Sequence, residues 1–97
     1  MRDPHPAVVI NDDNIQELNL RIIIPITSWQ PHFKGKSIMV KINANHRNGL
    51  KHGSAANVLQ MRSVDAKRFI RPLGTLTTSQ MEKIEEAIYI VLKLPFK

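Results

Sequence analysis

Apolar residues in this chain come in short blocks separated by turn-forming residues, until a single amphipathic stretch near the C-terminus. The densest block is Arg21-Ile-Ile-Ile-Pro-Ile-Thr-Ser28, with four isoleucines within positions 22–26. Branching at Cβ suits a pleated strand and disfavours a helix, so the run predicts a strand buried on both faces. Pro25 removes one ladder donor, which requires a bulge or an edge at that point. The block then ends at two adjacent hydroxyls, Thr27 and Ser28. Such an ending can present a site on a rigid scaffold, or can simply be the end of a strand.

The flanking pattern is also mostly β. Ala7–Ile10 predicts a short strand, and Asp12 or Asp13 can cap a helical turn running to Leu18. Trp29–Gly35 reads as a loop. In Ser37–Ile42, Ile38, Val40 and Ile42 alternate with Ser37, Met39 and Lys41, as in a half-buried strand. Asn43–Gly53 is rich in Asn and Gly and reads as exposed. Ser54–Arg62 predicts a further strand, in which Asn57 must face solvent or find a buried partner. Val64–Phe69 reads as a helical turn and Pro72–Leu76 as a last short strand.

One long helix follows. Thr77 with Gln80, or Ser79 with Glu82, can form a capping box. Met81, Ile84, Ile88, Val91 and Leu92 repeat at helical spacing, and Pro95 closes the stretch. Strands first and one amphipathic helix last predict a mainly β domain, a small curled sheet or barrel capped by the helix.

The length of 97 residues suits one domain spanning 1–97. No run approaches the ~20 apolar residues of a membrane span, and the N-terminus lacks a signal-peptide core. The absence of cysteine removes disulfide and thiolate chemistry and suits a reducing cytoplasm. His5, His32, His46 and His52 lack zinc-site spacing, no glycine-rich phosphate loop occurs, and no metal or cofactor is expected.

Charge sharpens the picture. Between Lys34 and Arg71, nine Lys and Arg residues stand against one acid, Asp65. A surface that meets an anion has this character, and so does a solvated basic surface. Trp29 and Phe33 lie beside Lys34 and Lys36, a mixture able to stack on unpaired bases and hold phosphates, although Trp29 can equally anchor a loop. Direct DNA binding is not expected, because no helix carries a basic recognition face.

Five segments in order then resemble a known family: Pro6-Ala-Val-Val-Ile-Asn-Asp12, Ile24-Pro-Ile-Thr-Ser28, Asn48-Gly-Leu-Lys51, Leu59-Gln-Met-Arg-Ser-Val-Asp65, and Leu73-Gly-Thr-Leu76 with its capped helix. Together they resemble the MazF/PemK (Kid) toxins of bacterial toxin–antitoxin systems. The resemblance implies an SH3-like barrel, a homodimer, and a metal-independent endoribonuclease that cuts single-stranded RNA. It also implies an acidic antitoxin whose tail lies across the RNA groove.

In that family, attack of the ribose 2′-hydroxyl on phosphorus is served by the Thr of Pro-x-Thr and by an Arg before the Pro-Ala-Val-Val strand. The first falls on Thr27. The second falls on His5, a departure with two readings. His5 acts as the acid or base, because imidazoles ordinarily titrate near pH ~6.5, with Arg2 supplying fixed charge. Otherwise the site is impaired, and the chain is a non-catalytic dimer that binds antitoxin. Gln60 and Arg62 match the family's Gln-x-Arg, whereas Leu59 replaces the usual acid before it. The expected RNA-binding set is Arg2, Ser28, Lys34, Lys36, Gln60 and Arg62. Family members usually begin with a further strand and loop, so an N-terminally short barrel with an unpaired Ala7–Ile10 edge is expected.

Overall fold

The structure, a computed structural model, describes residues 5–95. Among them, five antiparallel strands and one α-helix follow in chain order: β1 (Ala7–Val9), β2 (Leu20–Ser28), β3 (Met39–Ile42), β4 (Ser54–Asn57), β5 (Arg62–Asp65) and α1 (Thr78–Leu92). The mainly β fold with a single C-terminal helix agrees with the hydrophobic pattern.

β2 is the organising strand. Its N-terminal half pairs with β5, its C-terminal half pairs with β4 on the same side, and β1 covers its other side. β3 extends the sheet beyond β4. Ile26 N donates to Pro6 O at 3.0 Å and Ile10 N to Ile22 O at 3.0 Å, so even-numbered residues of β2 bond to β1. In an antiparallel ladder the odd-numbered residues then bond on the β4/β5 side. The donor that Pro25 lacks therefore falls where pairing with β4 stops, after Ala56 opposite Ile26, and before β5 begins opposite Ile23.

That missing donor explains why the expected Ser54–Arg62 strand is two elements. Continuing the register sets Asn57 opposite Pro25, where no N–H is available, and the chain turns away through a 3₁₀ turn at Val58–Gln60. Arg62 belongs to β5, as does Val64, and only Ala66–Arg68 makes the turn expected over Val64–Phe69.

Three further expectations are corrected. No helical turn forms before Leu18, because Asp12 Oδ1 accepts from Asn14 N at 2.8 Å and holds a local turn. Pro72–Leu76 is not a strand; Thr75 N reaches Arg47 O at 2.9 Å, and Gly74 packs directly on the Arg47–Asn48 backbone. Within the Asn43–Gly53 loop, Asn48 is buried. Its side chain accepts from Asn45 N and Leu50 N and donates to Asn43 O, so the polar loop is internally built.

The core lies on one face of the sheet, where Val8, Ile24, Ile26, Ile42, Ala56 and Val58 meet Ile84 and Ala87 of α1. Ile23 is also buried, on the other face, but Ile22 is exposed, so burial on both faces holds for only part of the isoleucine run. Thr77 Oγ1 accepts from Gln80 N and Gln80 Oε1 accepts from Thr77 N, completing the capping box that starts α1. Lys93, in a left-handed conformation, ends the helix two residues before Pro95.

Candidate RNA-binding groove

Successive side chains on a strand point to opposite faces. With Ile24 and Ile26 in the core, Pro25 and Thr27 face away from it. The registers line up two rows on this outer face. One contains Pro25, Asn57 and Met39; the other contains Thr27, Ala55 and Lys41. Extending the β1–β2 register past Ala7 and Pro25 sets His5 across from Thr27. The second row thus runs imidazole, hydroxyl, methyl, ammonium across the sheet. Ala55 is itself fully buried, so neighbouring side chains close over the strand between Thr27 and Lys41, whose Cα atoms are roughly 10 Å apart at ordinary strand spacing.

An aromatic rim borders this row. Lys41 Nζ sits 5.1 Å from the centre of the Trp29 ring, and Trp29 meets Phe33 edge-on at 5.7 Å between ring centres. His32 packs on Phe33 at 4.6 Å. A cation over an indole face is attracted by the ring quadrupole, by about 0.5–1 kcal/mol at an exposed site, which biases Lys41 towards Trp29 at the end of Thr27's row.

Next to Thr27 is an open depression of about 400 Å³. Its lining includes Pro25, Thr27, Phe33, Lys36, Asn57 and Gln60. Met39 forms part of its floor and is buried, although strand alternation placed it on the solvent side; the depression's apolar wall covers it. Asn57 Oδ1 is buried in the same wall and has no hydrogen-bond partner among the described residues.

The expected site residues therefore divide. Thr27, Lys36 and Gln60 share the depression, and His5 flanks Thr27 by register. Lys34 is exposed just after the Pro31–Phe33 turn. Arg62 stands opposite Ile23, about 13 Å along β2 from Thr27. Ser28 points to the other face, where its Oγ hydrogen-bonds His52 Nε2 at 2.7 Å. Arg2 lies outside the described residues. Lys41 and His52 were not singled out by sequence. The sign available for Lys41 was its place on the polar side of an alternating strand, one face shared with Trp29.

The PemK-like, MazF-like toxins of type II toxin–antitoxin systems match residues 1–92. The chain belongs to this family. Endoribonuclease MazF9 of Mycobacterium tuberculosis is 27% identical over 95 residues, covering 92% of this chain and 78% of that protein. Among solved structures, the M. tuberculosis toxin MazF-mt6 superposes with a TM-score of 0.81 at 22% identity, over 95% of this chain and 89% of that one. An endoribonuclease from a mycobacterial species, in complex with its cognate antitoxin, superposes with a TM-score of 0.78 at 17% identity, over 96% of this chain and 84% of that one. These likenesses assign a MazF-like fold to the sheet and helix described above. Among the described residues, no cluster of His, Asp or Glu suited to a metal ion occurs, and no helix is long and apolar enough to cross a membrane.

Proposed function

We propose that the groove along Thr27 cuts single-stranded RNA without a metal ion. Membership of a toxin family, together with a relative that is an endoribonuclease, makes the chain the RNA-cleaving toxin of a toxin–antitoxin pair. The observation that carries the site is the row of exposed residues His5, Thr27 and Lys41, aligned by register across one sheet face on either side of the buried Ala55.

The reaction is attack of a ribose 2′-oxygen on the adjacent phosphorus. The O2′–P bond forms, the P–O5′ bond breaks, and the products carry a 2′,3′-cyclic phosphate and a 5′-hydroxyl. A base takes the 2′-proton, and an acid returns a proton to O5′. His5 supplies one of these steps. Thr27 Oγ donates to a phosphorane oxygen, and Lys41 neutralises charge from the far side of the row. Lys34, Lys36, Gln60, Arg62 and Arg2 hold the flanking strand through phosphate and polar contacts.

The partner is an acidic antitoxin segment, which competes with RNA for the same basic, aromatic-rimmed surface. The solved relative bound to its antitoxin supports this. The active species is a homodimer in the cytoplasm; exposed Ile15, Leu18, Phe69 and Ile70 supply apolar surface for a second copy.

The deciding experiment is incubation of purified protein with long single-stranded RNA in EDTA. Discrete fragments ending in cyclic phosphate, lost in Thr27→Ala, are the expected result. Intact RNA with well-folded protein overturns the reading and leaves a non-catalytic antitoxin-binding dimer.

A further inference from the structure

Asn57 is placed where a strand gives up its ladder. Opposite it, Pro25 has no N–H to donate, and the chain leaves the sheet through Val58–Gln60. Its side chain lines the depression beside Thr27, and Oδ1 is buried with no partner among the described residues. A buried acceptor without a donor is costly, since it loses its water and gains nothing in return. The lining does not relieve it: Pro25, Phe33, Ile38 and Met39 carry no side-chain donor, and Thr27, His32, Lys36 and Gln60, which do, make no hydrogen bond to Oδ1. An open cavity with an apolar floor and one unmatched acceptor matches a flat heteroaromatic ring with an N–H on its edge.

We propose that this depression reads one base of the RNA, with Asn57 Oδ1 accepting a hydrogen bond from the exocyclic amino group of adenine, cytosine or guanine. The inference rests on the chain being an RNA-cleaving enzyme, and adds the residue that selects the base next to the cut. Met39 and Phe33 pack against the ring, and Lys36 and Thr27 at the same lining hold the phosphates that lead into and out of it. Uracil is disfavoured. Its only base-pairing-edge donor, N3–H, is recessed between two carbonyl oxygens whose negative charge lies close to Oδ1, whereas an exocyclic amino group projects from the ring towards the acceptor.

Two arms test this. In the first, ¹⁵N-labelled full-length chain is titrated with AMP, CMP, GMP and UMP, and the Asn57 side-chain amide signals are followed, assigned by their loss in Asn57→Ala. A saturable shift with at least one amino-bearing nucleotide, roughly tenfold weaker with UMP, is expected. No shift, or an equal response to UMP, overturns the proposal. In the second, a pool of single-stranded RNAs randomised around the cut is digested. Wild-type protein is expected to select an amino-bearing base at one position. Asn57→Ala flattens that position alone, and Asn57→Asp, which keeps an acceptor, retains the selection. Unchanged selection in Asn57→Ala, with cleavage intact, overturns the base-reading role and leaves the nuclease standing. Nucleotide shifts at Asn57 from a protein that leaves all RNA intact support the pocket and overturn the nuclease reading instead.

Discussion

Ser28 Oγ hydrogen-bonds His52 Nε2 at 2.7 Å on the sheet face opposite to Thr27, although Thr27 and Ser28 are adjacent in the chain. Strand alternation separates the two hydroxyls that end the isoleucine run. Ser28 Oγ is engaged at the mouth of the Asn43–Gly53 loop, while Thr27 lines the groove. Ser28→Ala is therefore expected to change RNA cleavage by no more than about threefold, against about a hundredfold or more for Thr27→Ala, as for loss of one donor to a charged transition state. Initial rates on one RNA substrate check both.

Thr27→Ser keeps the hydroxyl and removes only an exposed methyl. Activity is expected within about tenfold of wild type, because a serine hydroxyl reaches the same phosphate oxygen. All three proteins should unfold at nearly the same denaturant concentration, since exposed substitutions usually shift stability by less than about 0.5 kcal/mol. A large stability loss in Thr27→Ala would show that its effect on cleavage is structural.

Asn48 is the internal support of the longest loop. Asn45 N and Leu50 N donate to its Oδ1, and its Nδ2 donates to Asn43 O. Asn48→Ala leaves these buried groups unpaired and is expected to destabilise the fold by about 2–3 kcal/mol. Gly49 sits at a φ of +67°, and a Cβ there would meet the Leu73 carbonyl, so Gly49→Ala should be at least as damaging. Urea unfolding monitored by Trp29 fluorescence measures both.

Asn57 is expected to show the opposite sign. Replacing it with leucine removes the unpaired buried oxygen and fills the depression with carbon. Stability should rise by about 1 kcal/mol, or roughly 4–8 °C in Tm for a domain of this size. A gain in stability together with loss of base selection is what a residue kept for recognition rather than folding produces. A drop in Tm would indicate that Oδ1 has a structural partner.

Much of the architecture was legible because it depends on local periodicity. The isoleucine run, the alternation in Ser37–Ile42 and the 3.6-residue stripe with its Thr77–Gln80 box each specify an element within a few residues. Thr27 and Gln60 were reached through short motifs, and both lie in one depression. Elements whose shape depends on a distant partner were less legible. Ser54–Arg62 breaks because Pro25, about thirty residues earlier, cannot donate opposite Asn57. Pro72–Leu76 stays irregular because its backbone is spent on Arg47 rather than on a strand.

What the sequence by itself determined was the set of elements, the basic middle of the chain and membership of the toxin family, all encoded in neighbouring residues. Only the tertiary structure decided which side chains share a face. Register placed Lys41 in Thr27's row, strand alternation sent Ser28 away to His52, and the gap at Pro25 left Asn57 with an acceptor and no donor. Cross-strand register arises from contacts between segments far apart in the chain, and a one-residue slip would reverse every one of these placements.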